Sequence, residues 1–465
     1  NVSNAPGQVS RSAENFDFRG EINYLDFTFR TGYQKRTRGS GAGLVQALDP
    51  TSRQGSTRWN FDLNYNTQVN DDLELAFQGT YFDTTQEAKK GYIIFPAGYA
   101  GVFTDGLIGN PEAFERHTRF NASGLYTGLS GHVFRFGAGY HNADLHKIKE
   151  SKNFALGPDG LPITPGSPVV DVTDTPYVFM PEIDRTNHYV FIQDVWNIAN
   201  DWELTAGVRY DDYSDFGSTT NPRLALVWST SLNFSTKLLY GKAFRAPAFV
   251  ETNAINNPVQ LGNPTLKPEE IETIELAFDY HPGRGFGMVL NFYRYEWNDI
   301  IQQIPDVGAS TSTFQNFGKQ TAYGAEFEIN WLLSEEISLA SNFSWSDATN
   351  EKTNQDVAYV PNQQIYVQLN WKISDTLKLN FKNNLVLNRK RDVEDPRNSI
   401  DDYWLSDVNL RWMPTDSPIE LALIGKNIFN EDVREPTINN GAVVSLPEDL
   451  PMPGRMIYGE LRYQF

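Results

Sequence analysis

The sequence predicts an all-β protein, a transmembrane antiparallel β-barrel with about 19 strands in this chain. Three observations predict this fold. Segments in which apolar and polar residues alternate recur from one end of the chain to the other. The connections between these segments alternate between tight turns and long loops. The composition is rich in aromatic residues (13%) and yet hydrophilic, with a mean hydropathy of -0.46.

A membrane protein with so low a mean hydropathy can be of only one kind. Hydrophobic residues make up 40% of the 465, and no stretch approaches the roughly 20 apolar residues that a spanning helix needs. A barrel with a polar interior needs apolar residues only at alternate positions. The composition therefore favours strands over helices as the membrane-crossing elements.

Nineteen segments show the period of two that is typical of a strand with one apolar and one polar face. We predict strands at 16–25, 27–37, 58–69, 72–86, 115–129, 132–148, 186–199, 201–214, 222–231, 233–244, 270–281, 286–297, 314–333, 336–348, 364–373, 377–388, 403–414, 419–430 and 454–465.

The last predicted strand shows the pattern most simply. Ile457, Leu461 and Tyr463 lie on one face, and Glu460 and Arg462 lie on the other. The strand ends on a terminal aromatic residue. This ending is typical of the strand that closes an outer-membrane barrel.

The connections predict the orientation. Every second connection is a tight run of turn-forming residues: 70–71, 130–131, 200, 231–232, 282–285, 334–335, 374–375 and 415–418. Most of the others are long: 38–57, 87–114, 149–185, 245–269, 298–313, 349–363, 389–402 and 431–453, with 215–221 short. Outer-membrane barrels carry long loops outside the cell and short turns in the periplasm.

This orientation makes the first and last strands run in the same direction, because nineteen is odd. We expect residues 1–15 to be the remnant of an extracellular loop and residues 16–465 to form the barrel domain. An open strand edge in lipid costs several kcal/mol for each unpaired backbone group. The open edge would not arise if the strands were miscounted or if one parallel pair of strands closed the sheet. We favour a third explanation, in which further strands lie on sequence outside this chain.

Charge and composition exclude several classes of function. The net charge of -19 argues against nucleic acid as a partner, since phosphate binding needs a basic surface. The absence of cysteine excludes disulfides and thiolate metal sites. His141 and His146 flank Asp144, but their spacing puts them on opposite faces of a strand, so we predict no metal site and no cofactor. Nothing pairs a nucleophile with a base, and no enzyme is predicted.

Motifs in the second half of the chain resemble one known family. Residues 240–247 read YGKAFRAP, and 263–269 read NPTLKPE. Together with FGK…YGAEFE at 317–328 and GKNIFN at 425–430, in this order and spacing, they resemble the barrel of TonB-dependent outer-membrane receptors. The resemblance covers residues 230–465 well, and the first half matches in architecture. The motif residues proper are Phe244, Arg245, Pro247, Asn263, Pro264, Pro268 and Glu269.

The resemblance implies a function and a set of partners. The family imports scarce nutrients across the outer membrane of Gram-negative bacteria, with energy from the TonB–ExbB–ExbD system. Its barrel has 22 strands and an N-terminal plug in the lumen, and we find here no plug, no TonB-contacting box and three strands too few. Further expected partners are outer-membrane lipid, lipopolysaccharide and a small-molecule nutrient. Phe465 is the expected signal for the barrel-assembly machinery.

Candidate ligand-binding residues lie in the long loops and at the mouth. Aromatic side chains there can stack on a flat ligand, and arginines can attract an anionic chelate. The alternative for the aromatic residues is that they pack the loops on one another. The alternative for the motif that contains Arg245 is that it only shapes one loop. The candidates are Tyr92, Phe95, Tyr99, Phe103, Tyr177, Phe179, Arg245 and Arg434.

Three functions remain open from the sequence. The first is an energised receptor for a ferric siderophore, which we choose as the ligand because it is frequent in the family. A passive porin or diffusion channel is the second. A barrel enzyme is the third. The sequence does not name the substrate.

Overall fold

The protein is described here by a computed structural model. It describes residues 3–41, 43, 47–89, 91–393, 395–437, 446 and 448–464. The last residue, Phe465, lies outside the described residues, so the expected assembly signal stays a prediction.

Nineteen long strands make up the body of the described part of the chain. They are β1 (Ala13–Tyr24), β2 (Phe27–Gly39), β3 (Arg53–Asn70), β4 (Leu73–Ala88), β5 (Leu107–Tyr126), β6 (His132–Lys152), β7 (Ile183–Ala199), β8 (Trp202–Tyr213), β9 (Gly217–Ser231), β10 (Phe234–Arg245), β11 (Glu269–Gly283), β12 (Phe286–Pro305), β13 (Ser312–Leu332), β14 (Ile337–Asn350), β15 (Pro361–Lys372), β16 (Leu377–Arg389), β17 (Tyr403–Trp412), β18 (Ile419–Lys426) and β19 (Met456–Tyr463).

Each long strand pairs antiparallel with the next one along the chain, from β1 to β19. Among the described residues no backbone pairing joins β1 to β19. The two edge strands run in the same direction because the number of strands is odd. The predicted fold class and all nineteen predicted strands are confirmed.

The two faces of the sheet differ in chemistry, as the alternation predicts. On β7, Val190, Ile192 and Trp196 are 54%, 51% and 40% exposed on the outer face. Tyr189 and Gln193 lie on the opposite, inner face. Exposed apolar side chains on every second position are what lipid contact requires. The inner face is the wall of a polar lumen.

Short turns and long loops alternate as predicted. The turns on one rim include Leu25 and Asp26, where Leu25 adopts a positive φ of 50°. The loops on the other rim carry the short helix α1 (Phe249–Asn253) and six strands of two or three residues. Those short strands are Ile93–Phe95, Val170–Asp171, Gln260–Leu261, Gln355–Asp356, Arg434–Glu435 and Leu450–Pro451. Within the described ranges, no helix is long and apolar enough to cross a bilayer.

Several strands are longer than the sequence pattern predicts. The predicted strand 286–297 continues as β12 to Pro305. A register irregularity after Trp297 and a positive φ of 54° at Asp299 interrupt the period of two there. Beyond the bilayer no lipid enforces an apolar outer face, so the pattern stops before the strand does.

Some predicted strands end earlier than expected. The predicted strand 419–430 ends at Lys426, because Asn427 turns the chain with a positive φ of 46°. The side chain of Asn427 then accepts a hydrogen bond from the backbone N–H of Glu431 and donates one to its carbonyl, both at 2.8 Å. The asparagine of the GKNIFN motif therefore marks the end of β18.

Candidate functional site

The predicted motif residues meet where β10 ends and β11 begins. Arg245 and Glu269 are register partners on these two strands. The Arg245 guanidinium donates to both oxygens of the Glu269 carboxylate, at 2.9 Å from Nε and 2.6 Å from Nη2. Glu269 is 3% exposed, and its Oε1 also accepts a hydrogen bond of 2.8 Å from the backbone N–H of Ile301. The pair joins β10, β11 and β12 at the extracellular rim.

The same guanidinium holds the loop helix. Arg245 donates to both oxygens of Glu251 in α1, at 2.9 and 3.1 Å. Oε2 of Glu251 accepts the backbone N–H of Ala248 at 2.7 Å, which satisfies one of the free donors at the start of the helix. Arg245 thus binds two carboxylates at once. We call the triad of Arg245, Glu251 and Glu269 the rim brace.

The remaining motif residues shape the return to β11. The backbone N–H of Asn263 donates to the Glu251 carbonyl at 2.8 Å, and the Asn263 side chain accepts the N–H of Thr265 at 3.0 Å. Leu266 is buried with Ile301 and Phe314.

The prolines of the motif differ in their surroundings. Pro247 is fully buried, and its carbonyl accepts a 2.8 Å bond from Arg185. Pro264 is exposed in the loop, and Pro268 directly precedes β11. Phe244 places its ring edge-on to Tyr213 at 5.9 Å. The motif as a whole therefore folds one loop against the barrel rim.

Three of the four aromatic candidates of loop 89–106, namely Phe95, Tyr99 and Phe103, pack in one hydrophobic cluster. Tyr92 is 2% exposed, and its hydroxyl accepts a 2.9 Å bond from the Gln54 side chain. Burial raises the pKa of the Tyr92 hydroxyl. The rings of Phe95 and Tyr99 stack with centroids 4.1 Å apart, and Phe103 lies 6.2 Å beyond Tyr99. Ligand contact by these rings stays a prediction.

The candidates of loop 153–182 belong to a second cluster. Tyr177 and Phe179 are partly buried against a core formed by Leu145, Ile148, Val172, Val178 and Met180. The Tyr177 carbonyl accepts a 2.5 Å bond from Lys152. Here too the rings take part in loop packing, and a part in ligand binding remains to be tested.

Arg434 lies in a different loop and is less constrained than Arg245. Its Nε donates to Asp432 at 3.1 Å and its Nη1 to the carbonyl of Glu448 at 2.9 Å. The Arg434 side chain is 38% exposed, and the Asp432 side chain beside it is 71% exposed. The two arginine candidates are therefore not equivalent, and the structure does not bring them together in one bond network.

A cluster near Arg434 connects loops 390–402 and 427–455. Arg397 donates to Asp395 at 2.6 Å and to Asp449 at 3.1 Å, and Arg391 also donates to Asp449 at 3.0 Å. The hydrogen bonds from Arg397 hold the pKa of Asp395 below its ordinary value. The sequence pattern gave no sign of this cluster, because its members are separated by about fifty residues.

Two histidines that sequence reasoning did not pair lie side by side on the lumen wall. Nδ1 of His117 on β5 is 2.9 Å from Nε2 of His141 on β6, and Nε2 of His117 is 2.8 Å from Glu115. One imidazole must donate and the other accept. Across the described ranges no group of three or more His, Cys, Asp or Glu side chains is arranged to hold a metal ion.

Comparison with known protein families gives one match. Residues 2–428 match the family model described as TonB dependent receptor-like, beta-barrel.

Two curated relatives illustrate the sequence similarity. The iron-regulated outer membrane virulence protein of Vibrio cholerae serotype O1 (strain O395) is 26% identical over 275 residues, which are 54% of this chain and 42% of that protein. The vitamin B12 transporter BtuB of the same strain is 32% identical over 149 residues, which are 31% of this chain and 22% of BtuB. The chain thus spans less than half the length of these relatives.

Solved structures show the same fold at low sequence identity. The siderophore receptor PirA from Acinetobacter baumannii superposes with a TM-score of 0.72 at 15% identity, covering 100% of this chain and 73% of PirA. The ferric-catecholate import receptor Fiu from K12 E. coli gives a TM-score of 0.68 at 12% identity, covering 100% of this chain and 76% of Fiu. BtuB is named as a transporter, and PirA and Fiu are named as receptors.

Proposed function

The chain belongs to the family of TonB-dependent receptor-like β-barrels, and from that premise we propose that it forms the barrel wall of a receptor that imports a ferric siderophore. It is an integral protein of the outer membrane of a Gram-negative bacterium, like its named relatives. The family match over 2–428, together with the nineteen-stranded antiparallel wall, is the observation that carries the proposal.

The ligand class rests on the similar proteins. PirA and Fiu are named as siderophore and ferric-catecholate receptors, and the Vibrio relative is named as iron-regulated. BtuB is named as a vitamin B12 transporter, so a corrinoid is the competing ligand. Energy is proposed to come from the TonB–ExbB–ExbD system, through a part of the receptor that the described residues do not include.

The barrel is proposed to contain 22 strands, with three strands and a lumen-filling plug on sequence outside this chain. Two features support this. Within the part of the chain that the structure describes, the outer edges of β1 and β19 have no strand partner, and lipid would penalise their unpaired backbone groups by several kcal/mol each. Both edges run in the same direction, so an odd number of added strands keeps every neighbour antiparallel. Residues 1–15 would then continue an extracellular loop.

Uptake of iron by cells that carry this protein as their sole receptor tests the proposal. Radiolabelled iron would be offered as catecholate, hydroxamate and carboxylate siderophore complexes, with cyanocobalamin in parallel. We expect saturable uptake of one ferric complex that disappears when the gene for TonB is deleted. Uptake that survives the deletion would instead indicate a passive channel. Uptake of the corrinoid with no uptake of iron would replace the ligand class.

A further inference from the structure

One ion pair lies on the lipid-facing side of the barrel. His132, the first residue of β6, is the register partner of Trp196 on β7. Register partners present their side chains on the same face of a sheet, and Trp196 is 40% exposed on the outer face. Asp194 lies two residues before Trp196 and therefore shares this face. Its Oδ2 lies 2.7 Å from Nδ1 of His132.

This contact determines which nitrogen of the imidazole can bind something else. An ionised carboxylate can only accept hydrogen bonds, so Nδ1 of His132 donates to Asp194. The second nitrogen, Nε2, has no hydrogen-bond partner within the described ranges, and the His132 side chain is 23% exposed. In the imidazolium form Nε2 carries a proton, so it is a donor on the outer face of the barrel.

Two aromatic rings enclose the imidazole. The Phe134 ring stacks on His132 with centroids 5.6 Å apart and planes inclined by 6°, and the Trp196 ring does so at 5.5 Å and 10°. The face of an aromatic ring attracts a cation, and so does the Asp194 carboxylate. One oxygen of that carboxylate, Oδ1, is buried without a partner among the described residues. These neighbours suit a positively charged imidazole ring of which only the edge is open.

The ion pair lies at the periplasmic boundary of the hydrocarbon layer. The strand β6 begins directly after the short turn 127–131 on the periplasmic rim. Tyr126, Trp196 and Trp228 are 38%, 40% and 37% exposed on the outer face near the same rim. Such a girdle of aromatic residues marks the interface between acyl chains and headgroups. His132 therefore lies at the level of the lipid phosphates, where an ionisable side chain on a spanning strand indicates a function.

The neighbouring turns carry negative charge on the water side of His132. Asp71 and Asp72 precede β4, and Asp201 precedes β8; all three are exposed. The backbone N–H of Thr127 donates to the Asp72 carbonyl at 2.9 Å, so the first of these turns adjoins the turn 127–131. The second follows β7, the strand that pairs with β6. Carboxylates at this height repel an anionic headgroup and attract an ammonium group.

We propose that His132, Phe134, Asp194 and Trp196, together called the girdle site, bind the headgroup of an aminophospholipid such as phosphatidylethanolamine. Nε2 of the imidazolium donates a charge-assisted hydrogen bond to a phosphate oxygen. The ammonium group, which lies on the water side of the phosphate, is attracted by the carboxylates of the turns. The periplasmic leaflet of the outer membrane consists of phospholipids, whereas lipopolysaccharide lies in the opposite leaflet.

The girdle site does not depend on what fills the lumen, because its side chains lie on the outer face. It is also remote from the two free edges of the sheet, since five strands precede β6 and twelve follow β7. The inference therefore goes beyond the proposed uptake function and holds for any imported ligand.

Native mass spectrometry of the purified, delipidated full-length receptor tests the girdle site. The probes are phosphatidylethanolamine and phosphatidylglycerol with identical acyl chains, titrated separately. The variant H132F keeps an aromatic ring in the stack and removes the N–H donor. Its matched control is H188F. His188 on β7 is also exposed on the outer face beside an aromatic ring, that of Tyr140 at 5.0 Å, but lies near the extracellular end of its strand.

We expect H132F to bind phosphatidylethanolamine about tenfold more weakly than wild type, which is the worth of one hydrogen bond to a charged group. H188F should stay within about twofold of wild type. H132R should recover most of the affinity, because a guanidinium group again supplies a charged donor at this level. Unchanged affinity in H132F, or an equal loss in H132F and H188F, would refute the girdle site.

The choice of headgroup has its own test, which also applies if H132F fails to fold. Wild type should bind phosphatidylethanolamine at least about threefold more tightly than phosphatidylglycerol, because three exposed carboxylates each contribute a weak attraction. Combining D71N, D72N and D201N, all in exposed turns, should abolish this preference. Tighter binding of phosphatidylglycerol by wild type, or a preference that survives the triple substitution, would overturn the assignment to an aminophospholipid.

Discussion

Replacing Lys152 by methionine is expected to destabilise the extracellular end of the barrel by about 3–5 kcal/mol. The Lys152 side chain is 0% exposed, its Nζ lies 3.5 Å from Oε2 of Glu150, and it donates to the Tyr177 carbonyl. Removal of the ammonium group leaves the Glu150 carboxylate, which is 3% exposed, without its cation. Unfolding in urea and the rate of proteolysis within loop 153–182 measure the effect.

Two further variants make the reason for this loss testable. Lys149→Met is the matched control, because Lys149 is 42% exposed and lies 3.8 Å from Glu112, which is 34% exposed, so its loss should cost less than about 1 kcal/mol. Adding Glu150→Gln to Lys152→Met removes the orphaned charge, and the double variant should recover most of the lost stability. A double variant as unstable as Lys152→Met alone would show that lost packing, and not the unpaired charge, is responsible.

Replacing Arg245 by methionine is expected to destabilise the protein by about 2–3 kcal/mol. The rim brace would lose four hydrogen bonds, and Glu269 would remain buried without a cation. The figure is below the 3–5 kcal/mol of a fully buried pair because the Arg245 side chain is 45% exposed to water. The free energy of unfolding in urea and protease sensitivity of the loop 246–268 report it.

The other predicted arginine supplies the control for the rim brace. Arg434→Met should change the free energy of unfolding by less than about 1 kcal/mol, since its partners are exposed. Arg245→Lys should fall between wild type and Arg245→Met, because lysine keeps the charge and loses the planar fork that reaches two carboxylates. Equal stability of the Arg245→Met and Arg434→Met variants would contradict the structural part assigned to Arg245.

The wall of the barrel was predictable from sequence because lipid imposes the pattern that reveals it. On β16, Leu379, Phe381 and Leu385 recur at alternate positions since each must face hydrocarbon. The extracellular ends escaped prediction for the opposite reason. Beyond Trp297 the strand no longer faces lipid, so nothing requires apolar and polar residues to alternate. The strand β12 nevertheless continues to Pro305.

The candidate site was predictable only in part. Motif resemblance singled out Arg245 and Glu269 as a set, and their cross-strand pairing explains why they occur together. The contact between His117 and His141 was missed because it depends on which residues lie near each other across strands, and a single sequence does not state that register.

The distance between the two free edges tests most directly whether these strands are part of a larger receptor barrel. Spin labels would be attached to G20C in β1 and G459C in β19. They would react at these two positions alone, because the chain has no cysteine of its own. Each site lies four residues before the periplasmic end of its strand. With three strands between the edges, double electron–electron resonance in native outer membranes should place the two backbones about 19 Å apart along the wall. A separation of about 5 Å would mean that the nineteen strands close on themselves, and would contradict the receptor account in favour of a self-contained pore.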